Sequence, residues 1–437
     1  MSRQLIRGAH IVSMDPTIGD IDSGDILIED GVIVEIGSRI GGVGDADTTN
    51  AEGAIALPGF VNTHTHLWQT PIRGVGADCW GEEYFPMIHP YSHSVTAEVL
   101  HNATYIGAIE ALSHGVTTIF DFCHSIHTPD HATRAADAFE EAGIRTIFGY
   151  SMRARAEAGG MSQEDRMSDA RRVHAERFAG GGLLNMVVAM NNVDHVSDEQ
   201  NHAETALAKE LGIRRTIHTL FPSHVGEFAR MGLLGPDLQW VHTTASSDVE
   251  LGAIAEHGGS LSITPESESL TTGMWPVTGR ALAAGIPLGL GIDLPSVFSQ
   301  SMTNQGRAAL AFSRLHSSHV RRMQGHPAVR DGGEEPIDVR RALSLLTIEG
   351  AQSVGLGEVT GSLSPGKQAD IVLMRPPRYV VPAGDIAAWV VIESSRADID
   401  SVYVGGVKRV ESGELVGVDL ARAEARAREA RAVMTQH

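Results

Sequence analysis

Short apolar, β-like runs open the chain at Leu5 to Met14, Ile26 to Glu29 and Val32 to Ile36. Asp30-Gly31 between the last two is a tight hairpin signal. A further run, Ala54 to Leu57, leads into Pro58-Gly59. Near the other end, Asp370 to Met374 and Val402 to Val404 are again β-like, followed by a Gly405-Gly406 turn. Each terminal set is too small to bury a face alone. A composite β-sandwich domain assembled from residues 1–57 and 362–415 is therefore expected.

Between these ends, apolar β-rich runs alternate with helical stretches. The runs are Gly59 to Thr63, Thr117 to Phe122, Thr146 to Tyr150, Asn185 to Met190, Arg215 to His218, Gln239 to His242, Ser260 to Ile263 and Pro287 to Ile292. Several follow a helix-stop glycine, as in His114-Gly115-Val116-Thr117 and Ala142-Gly143-Ile144-Arg145. Eight strands with helical connectors predict an α/β fold, a (β/α)8 TIM barrel over 58–361. The stretch Asp419 to Met434, rich in Ala, Arg and Glu, predicts a helix within 416–437, exposed or docked.

The 437 residues exceed an ordinary single domain, which suits a barrel plus a smaller module. Forty-eight glycines fit many short connections. The opening residues lack the apolar core of a secretory signal, and no apolar run approaches the ~20 residues needed to span a bilayer. Cys79 and Cys123 are the only cysteines, so no disulfide framework is expected. A cytoplasmic protein without membrane contact follows as the expectation. The net charge of -20 argues against sequence-independent binding to nucleic acid, which depends on Lys and Arg at phosphates. It leaves room for a small-molecule substrate, anionic ones included, because a pocket can carry its own local field.

The chemistry sits at strand ends. His64 and His66, at i and i+2 on a strand, point to one face and can chelate a divalent transition metal. Alone such a pair is a weak signal. His218 closes the fifth strand, His242 the sixth and Asp293 the eighth, the rim where TIM barrels gather catalytic groups. Four strand ends carrying metal-type residues are harder to assign to chance.

Leu57-Pro58-Gly59-Phe60-Val61-Asn62-Thr63-His64-Thr65-His66 resembles the opening metal motif of the amidohydrolase superfamily. Gly115-Val116-Thr117-Thr118 with Asp121, and the run Gly361 to Asp370, are similar to further signatures of that superfamily. The resemblance spans nearly the whole chain and is closest to the aminohydrolases and chlorohydrolases acting on nitrogen heterocycles. It implies that His64, His66, His218 and Asp293 bind one metal, with His242 touching the bound water or substrate. Asp293 would take a proton from that water and His242 would polarise the substrate. The fourth strand ends in Met190-Asn191-Asn192, without the lysine a carbamate-bridged binuclear site needs. One ion is expected, zinc before iron, manganese or cobalt. The resemblance also implies a homodimer.

One position departs from the pattern. Deaminating members carry a glutamate three residues after the fifth-strand histidine, and this chain has Phe221. Phenylalanine cannot move a proton, which places routine purine or pyrimidine deamination in doubt. Glu266 and Glu268, after the seventh strand, are the nearest replacement acids. Trp68, Gln69 and Trp80 in the first βα loop are candidate substrate contacts, ahead of Tyr84, His89 and Tyr91 and of Met274 and Trp275. The leading reading is hydrolysis of a C–N or related bond in a planar aromatic or heterocyclic molecule. The alternative is a metal-dependent cyclase or dehydratase closing an oxazole-type ring. A catalytically inactive barrel with a binding role is the third reading, and retention of all four metal-type residues argues against it.

Overall fold

Helix boundaries in the barrel follow local capping chemistry. The helix Asp198–Leu211 starts at Ser197, whose hydroxyl accepts from the Gln200 amide, and stops at Gly212 with φ of 67°. The helix Pro129–Ala142 has proline at its first position and ends at Gly143, also at φ 67°. The computed structural model describes residues 2–153, 160–329 and 336–436.

Five strands precede the barrel: β1 (Arg3–Val12), β2 (Asp20–Glu29), β3 (Val32–Gly37), β4 (Asp47–Asn50) and β5 (Ile55–Pro58). The barrel strands are β6 (Phe60–Thr65), β7 (Val116–Cys123), β8 (Arg145–Ser151), β9 (Leu184–Ala189), β10 (Arg215–Thr219), β11 (Leu238–His242), β12 (Ser260–Ile263) and β13 (Leu288–Leu290). All neighbouring pairs are parallel, in the order β13-β12-β11-β10-β9-β8-β7-β6. A parallel bridge between Thr65 and Asp293 closes the ring. There the Asp293 amide donates to the His64 carbonyl and the His66 amide to the Asp293 carbonyl, both at 2.9 Å. The last strand is shorter than the apolar run Pro287 to Ile292. Its chain leaves the regular ladder to make this closure, with Asp293 at φ 66°.

The strands of the two chain ends join in one sheet. β14 (Ile371–Met374), β15 (Ile399–Val404), β16 (Val407–Glu411) and β17 (Glu414–Leu415) continue it in the order β17-β16-β15-β14-β5-β1-β2-β3, with β4 beside β1. The joint is the antiparallel pairing of β14 with β5. Ile6, Ile11, Ile26 and Ile28 from the first part share a buried cluster with Leu363, Ile371, Leu373 and Tyr403 from the last. β4, β16 and β17 escape the apolar pattern, because Asp47-Thr48-Thr49-Asn50 is polar and the other two alternate or are two residues long.

Two contacts fix this sheet to the barrel and to itself. Arg145, at the start of β8, makes hydrogen bonds of 2.7 and 3.2 Å to the Asp370 carboxylate, and both side chains are buried. Asp370 also accepts from the Gly405 amide at 2.7 Å. At the hairpin, Gly31 has φ of +84°, and a Cβ there would lie 2.4 Å from the Gly405 carbonyl oxygen, so only glycine fits. The C-terminal helix Leu420–Met434 is docked: Ala423, Ala430 and Met434 are buried, and Arg426 lies over the Tyr105 ring at 4.8 Å.

Candidate active site

The carboxyl-terminal ends of β6, β10 and β11 and the residue closing the barrel bring five groups to one point. His64, in β6, and His66, directly after its last residue, project inward together, as the period of two requires. His64 Nε2 lies 3.4 Å and His66 Nε2 3.2 Å from Asp293 Oδ1. His218 Nε2, from β10, is 3.3 Å from His64 Nε2. Ligands ~2.0–2.1 Å from a zinc-sized ion at tetrahedral angles stand about 3.3 Å apart. The observed spacings match that edge. The His66 Nδ1–H donates to the Phe122 carbonyl at 2.7 Å, which leaves the Nε2 lone pair facing the centre.

Protonation states agree with the geometry. Burial pushes His64 down to about 3. Burial and the neighbouring imidazoles hold His218 well below its ordinary value. Burial pushes the Asp293 carboxyl up, but the His64 and His66 rings beside it hold it well below the usual carboxylate range. Neutral imidazoles beside an ionised carboxylate are what a divalent cation requires.

His242 approaches from the other side. Its Nε2 is 3.9 Å from Asp293 Oδ2, the oxygen turned away from His64 and His66, which the Ser267 hydroxyl also contacts. His64, His66 and His218 form one set of donors within 4.8 Å of one another, and His64, His242 and Asp293 form a second. Its Nδ1 lies 3.0 Å from Thr264 Oγ1 and 3.4 Å from Glu268 Oε1. His242, Thr243 and Asp293 all have positive φ, at 71°, 56° and 66°. Backbone strain of this kind clusters at sites whose surroundings hold it in place.

Above this centre opens a cavity of about 610 Å³. Its apolar lining includes Phe85, Ile88, Phe122, Leu220, Phe221 and Met274, and its polar lining includes Ser151, Arg153, Asn191, Asn192 and His195. Trp68 and Gln69 line the cavity as the sequence suggests, and Tyr84 and His89 join them. The Gln69 side-chain carbonyl accepts from Tyr84 and Ser296, both at 2.9 Å, so its orientation is fixed.

Other sequence candidates lie elsewhere. Trp80 is 75% exposed and off the cavity wall, because its loop turns Gly81 and Glu82 inward instead. Tyr91 is off the wall too, and Trp275 faces a separate cavity with Phe312 and His316. Glu266 turns to Gln305, whose amide donates to its carboxylate at 2.6 Å. Glu268 is fully buried behind His242 rather than at the substrate face. Sequence reasoning missed His124, whose ring sits 4.2 Å from that of His66 and 5.3 Å from that of His218. The signal is present, since His124 directly follows β7, but the apolar run itself ends at Phe122. Ser267 had no such signal.

The model of the Amidohydrolase family matches residues 55–409. The 5-methylthioadenosine/S-adenosylhomocysteine deaminase of Symbiobacterium thermophilum is 29% identical, with 93% of each chain covered. The 5'-deoxyadenosine deaminase of Methanosarcina mazei is 26% identical over 93% of this chain and 92% of that one. Among solved structures, a zinc-bound adenosine deaminase from Xanthomonas campestris superposes with a TM-score of 0.85 at 22% identity, covering 99% of this chain and 98% of that one. Atrazine chlorohydrolase TrzN from Arthrobacter aurescens TC1, complexed with zinc, gives 0.83 at 20% identity, covering 98% of this chain and 99% of that one. At that identity the two structures speak to the fold.

Proposed function

The chain belongs to the amidohydrolase family, and on that premise we propose that it is a mononuclear metal-dependent hydrolase of a C–N or related bond in a planar aromatic or heterocyclic small molecule. The observation that carries the reading is the run of donor atoms from His66 to Asp293 to His64 to His218, at successive spacings of 3.2, 3.4 and 3.3 Å, beneath a partly apolar cavity. His64, His66, His218 and Asp293 would hold one divalent ion, zinc before iron, manganese or cobalt. When bound, such an ion lowers the pKa of water from about 15.7 towards ~7 and polarises the bond under attack.

The chain's own groups do the rest. Asp293 Oδ2 accepts the proton that the attacking water loses. His242 Nε2, 3.9 Å away, takes that proton on from Asp293 and passes it to the leaving atom. Trp68, Phe122 and Phe221 offer faces for a flat ring and keep bulk water from it. The two curated relatives named above are deaminases, which favours displacement of an amine or a comparable group by water. They lend no support to ring closure by loss of water.

The test is turnover of a panel of amino-heterocycles, with adenine nucleosides such as 5'-methylthioadenosine included, followed by ammonia release and product mass. Products that together gain one water per turnover, only in metal-loaded protein, are the expected result. Loss of water, or full activity after chelation, would overturn the reading.

A further inference from the structure

We propose that Glu268 is a positioning residue for His242, fixing the ring with its hydrogen on Nδ1 and its Nε2 towards Asp293 and the cavity. The inference rests on the hydrolase reading for its consequence, but on geometry for its substance. His242 and Glu268 come from different strands' ends, and both side chains are buried, at 6% and 0% exposure. His242 Nδ1 has two near neighbours. Thr264 Oγ1, at 3.0 Å, can donate or accept. Glu268 Oε1, at 3.4 Å, can only accept when ionised.

Burial pushes the Glu268 carboxyl up, while His242 and the Thr264 backbone amide, which donates to the same Oε1 at 2.9 Å, favour its ionised form. A lone pair on Nδ1 would then face a carboxylate oxygen inside the protein, where repulsion is poorly screened. A hydrogen on Nδ1 removes the conflict. It also closes a consistent set of bonds: His242 Nδ1–H donates to Thr264 and Glu268, while the Thr264 hydroxyl donates to Glu268 Oε1 at 3.4 Å.

The consequence lies at the opposite ring nitrogen. With Nδ1 taken, Nε2 presents a lone pair that can accept a proton. Once it has done so the ring is an imidazolium, whose charge the Glu268 carboxylate offsets. Phe221 offers no proton at the fifth strand, and an oriented His242, which lines the cavity, is able to carry one to a leaving atom. Thr264 alone would permit either tautomer. Glu268 removes that freedom.

The test pairs kinetics with spectroscopy on the full-length, zinc-loaded protein and on the same protein after chelation. Two-bond 1H–15N spectra, with His242 assigned by comparison with His242→Gln, should show an Nδ1–H ring in the native protein. The ring should shift towards Nε2–H in Glu268→Gln, whose amide can donate to Nδ1, and remain Nδ1–H in Glu268→Asp and Thr264→Val. On the best substrate of the amino-heterocycle panel, Glu268→Gln should lower kcat by at least ~10²-fold, the scale of a lost proton-transfer group. KM should stay within about threefold and zinc content should not change. An Nε2–H ring in the native protein, or native kcat in Glu268→Gln, would overturn the role of Glu268. Absence of turnover by the native protein counts against the hydrolase reading alone, because the tautomer is read without substrate.

Discussion

Asp293 combines three demands in one residue: it closes the barrel through its backbone, meets His64 and His66 through Oδ1, and faces His242 through Oδ2. Replacement of its side chain should therefore separate chemistry from folding, since the backbone bonds to His64 and His66 do not need the carboxylate. Asp293→Ala and His64→Ala should fold, lose metal measured by elemental analysis, and lose activity. Full metal content in both would reassign the site. His242→Ala should behave differently, keeping the ion while turnover falls about 10²–10³-fold, as for other removed charge-stabilising donors. Metal loss equal to that of His64→Ala would place His242 among the ligands instead. Glu266, turned to Gln305, should be replaceable by Gln with turnover within a few-fold of native. A collapse of ammonia release in Glu266→Gln would show that the loop swings it into the cavity.

At the scale of elements, the ends of strands were readable and the loops were not. His64, His66, His218, His242 and Asp293 could be found because strand period and barrel topology dictate where a strand's last residue points. Trp80, Glu266 and Glu268 could only be nominated, since the direction of a side chain on a rim loop is set by loop backbone and neighbours that no periodicity records. The segment after β12 makes the point: Pro265 to Thr272 winds into short helical turns that send Glu266 outward, Ser267 to Asp293 and Glu268 to His242. The segment before Asp293 is legible afterwards. A Cβ on Gly291 would lie 2.7 Å from the His64 carbonyl oxygen and 2.9 Å from its amide nitrogen, both backbone atoms that cannot rotate away. Gly291→Ala should push β6 and the closing residues apart. Its expected signature is a lowered melting temperature together with weakened zinc affinity in a titration, by more than tenfold. Native affinity would show that the closure absorbs the shift without moving His64.

At the scale of the whole molecule, the two ends of the barrel carry different work. The carboxyl-terminal ends of the strands hold the site, while the start of β8 holds Arg145 against Asp370. That pair ties the barrel to the sheet built from both chain ends, and the sequence marks Asp370 as the start of a β-like run and as part of a resemblance, never its partner. Both groups are out of water, so removing one leaves the other charged and unpaired. Breaking a buried pair this way costs about 3–5 kcal/mol, whereas replacing both partners with apolar side chains can be far milder. Asp370→Ala should thus lower the unfolding midpoint in denaturant markedly, the more so because the Gly405 amide also loses its acceptor. Arg145→Met with Asp370→Leu should recover part of that loss, and the coupling between the two changes should exceed ~1 kcal/mol in a double-mutant cycle. Protein that remains folded should keep its kcat and its metal, because the pair lies at the opposite end of the strands from His64 and Asp293. A loss of kcat in folded Asp370→Ala would mean that the terminal sheet reaches the active site mechanically, and the division of labour between the barrel's two ends would have to be abandoned.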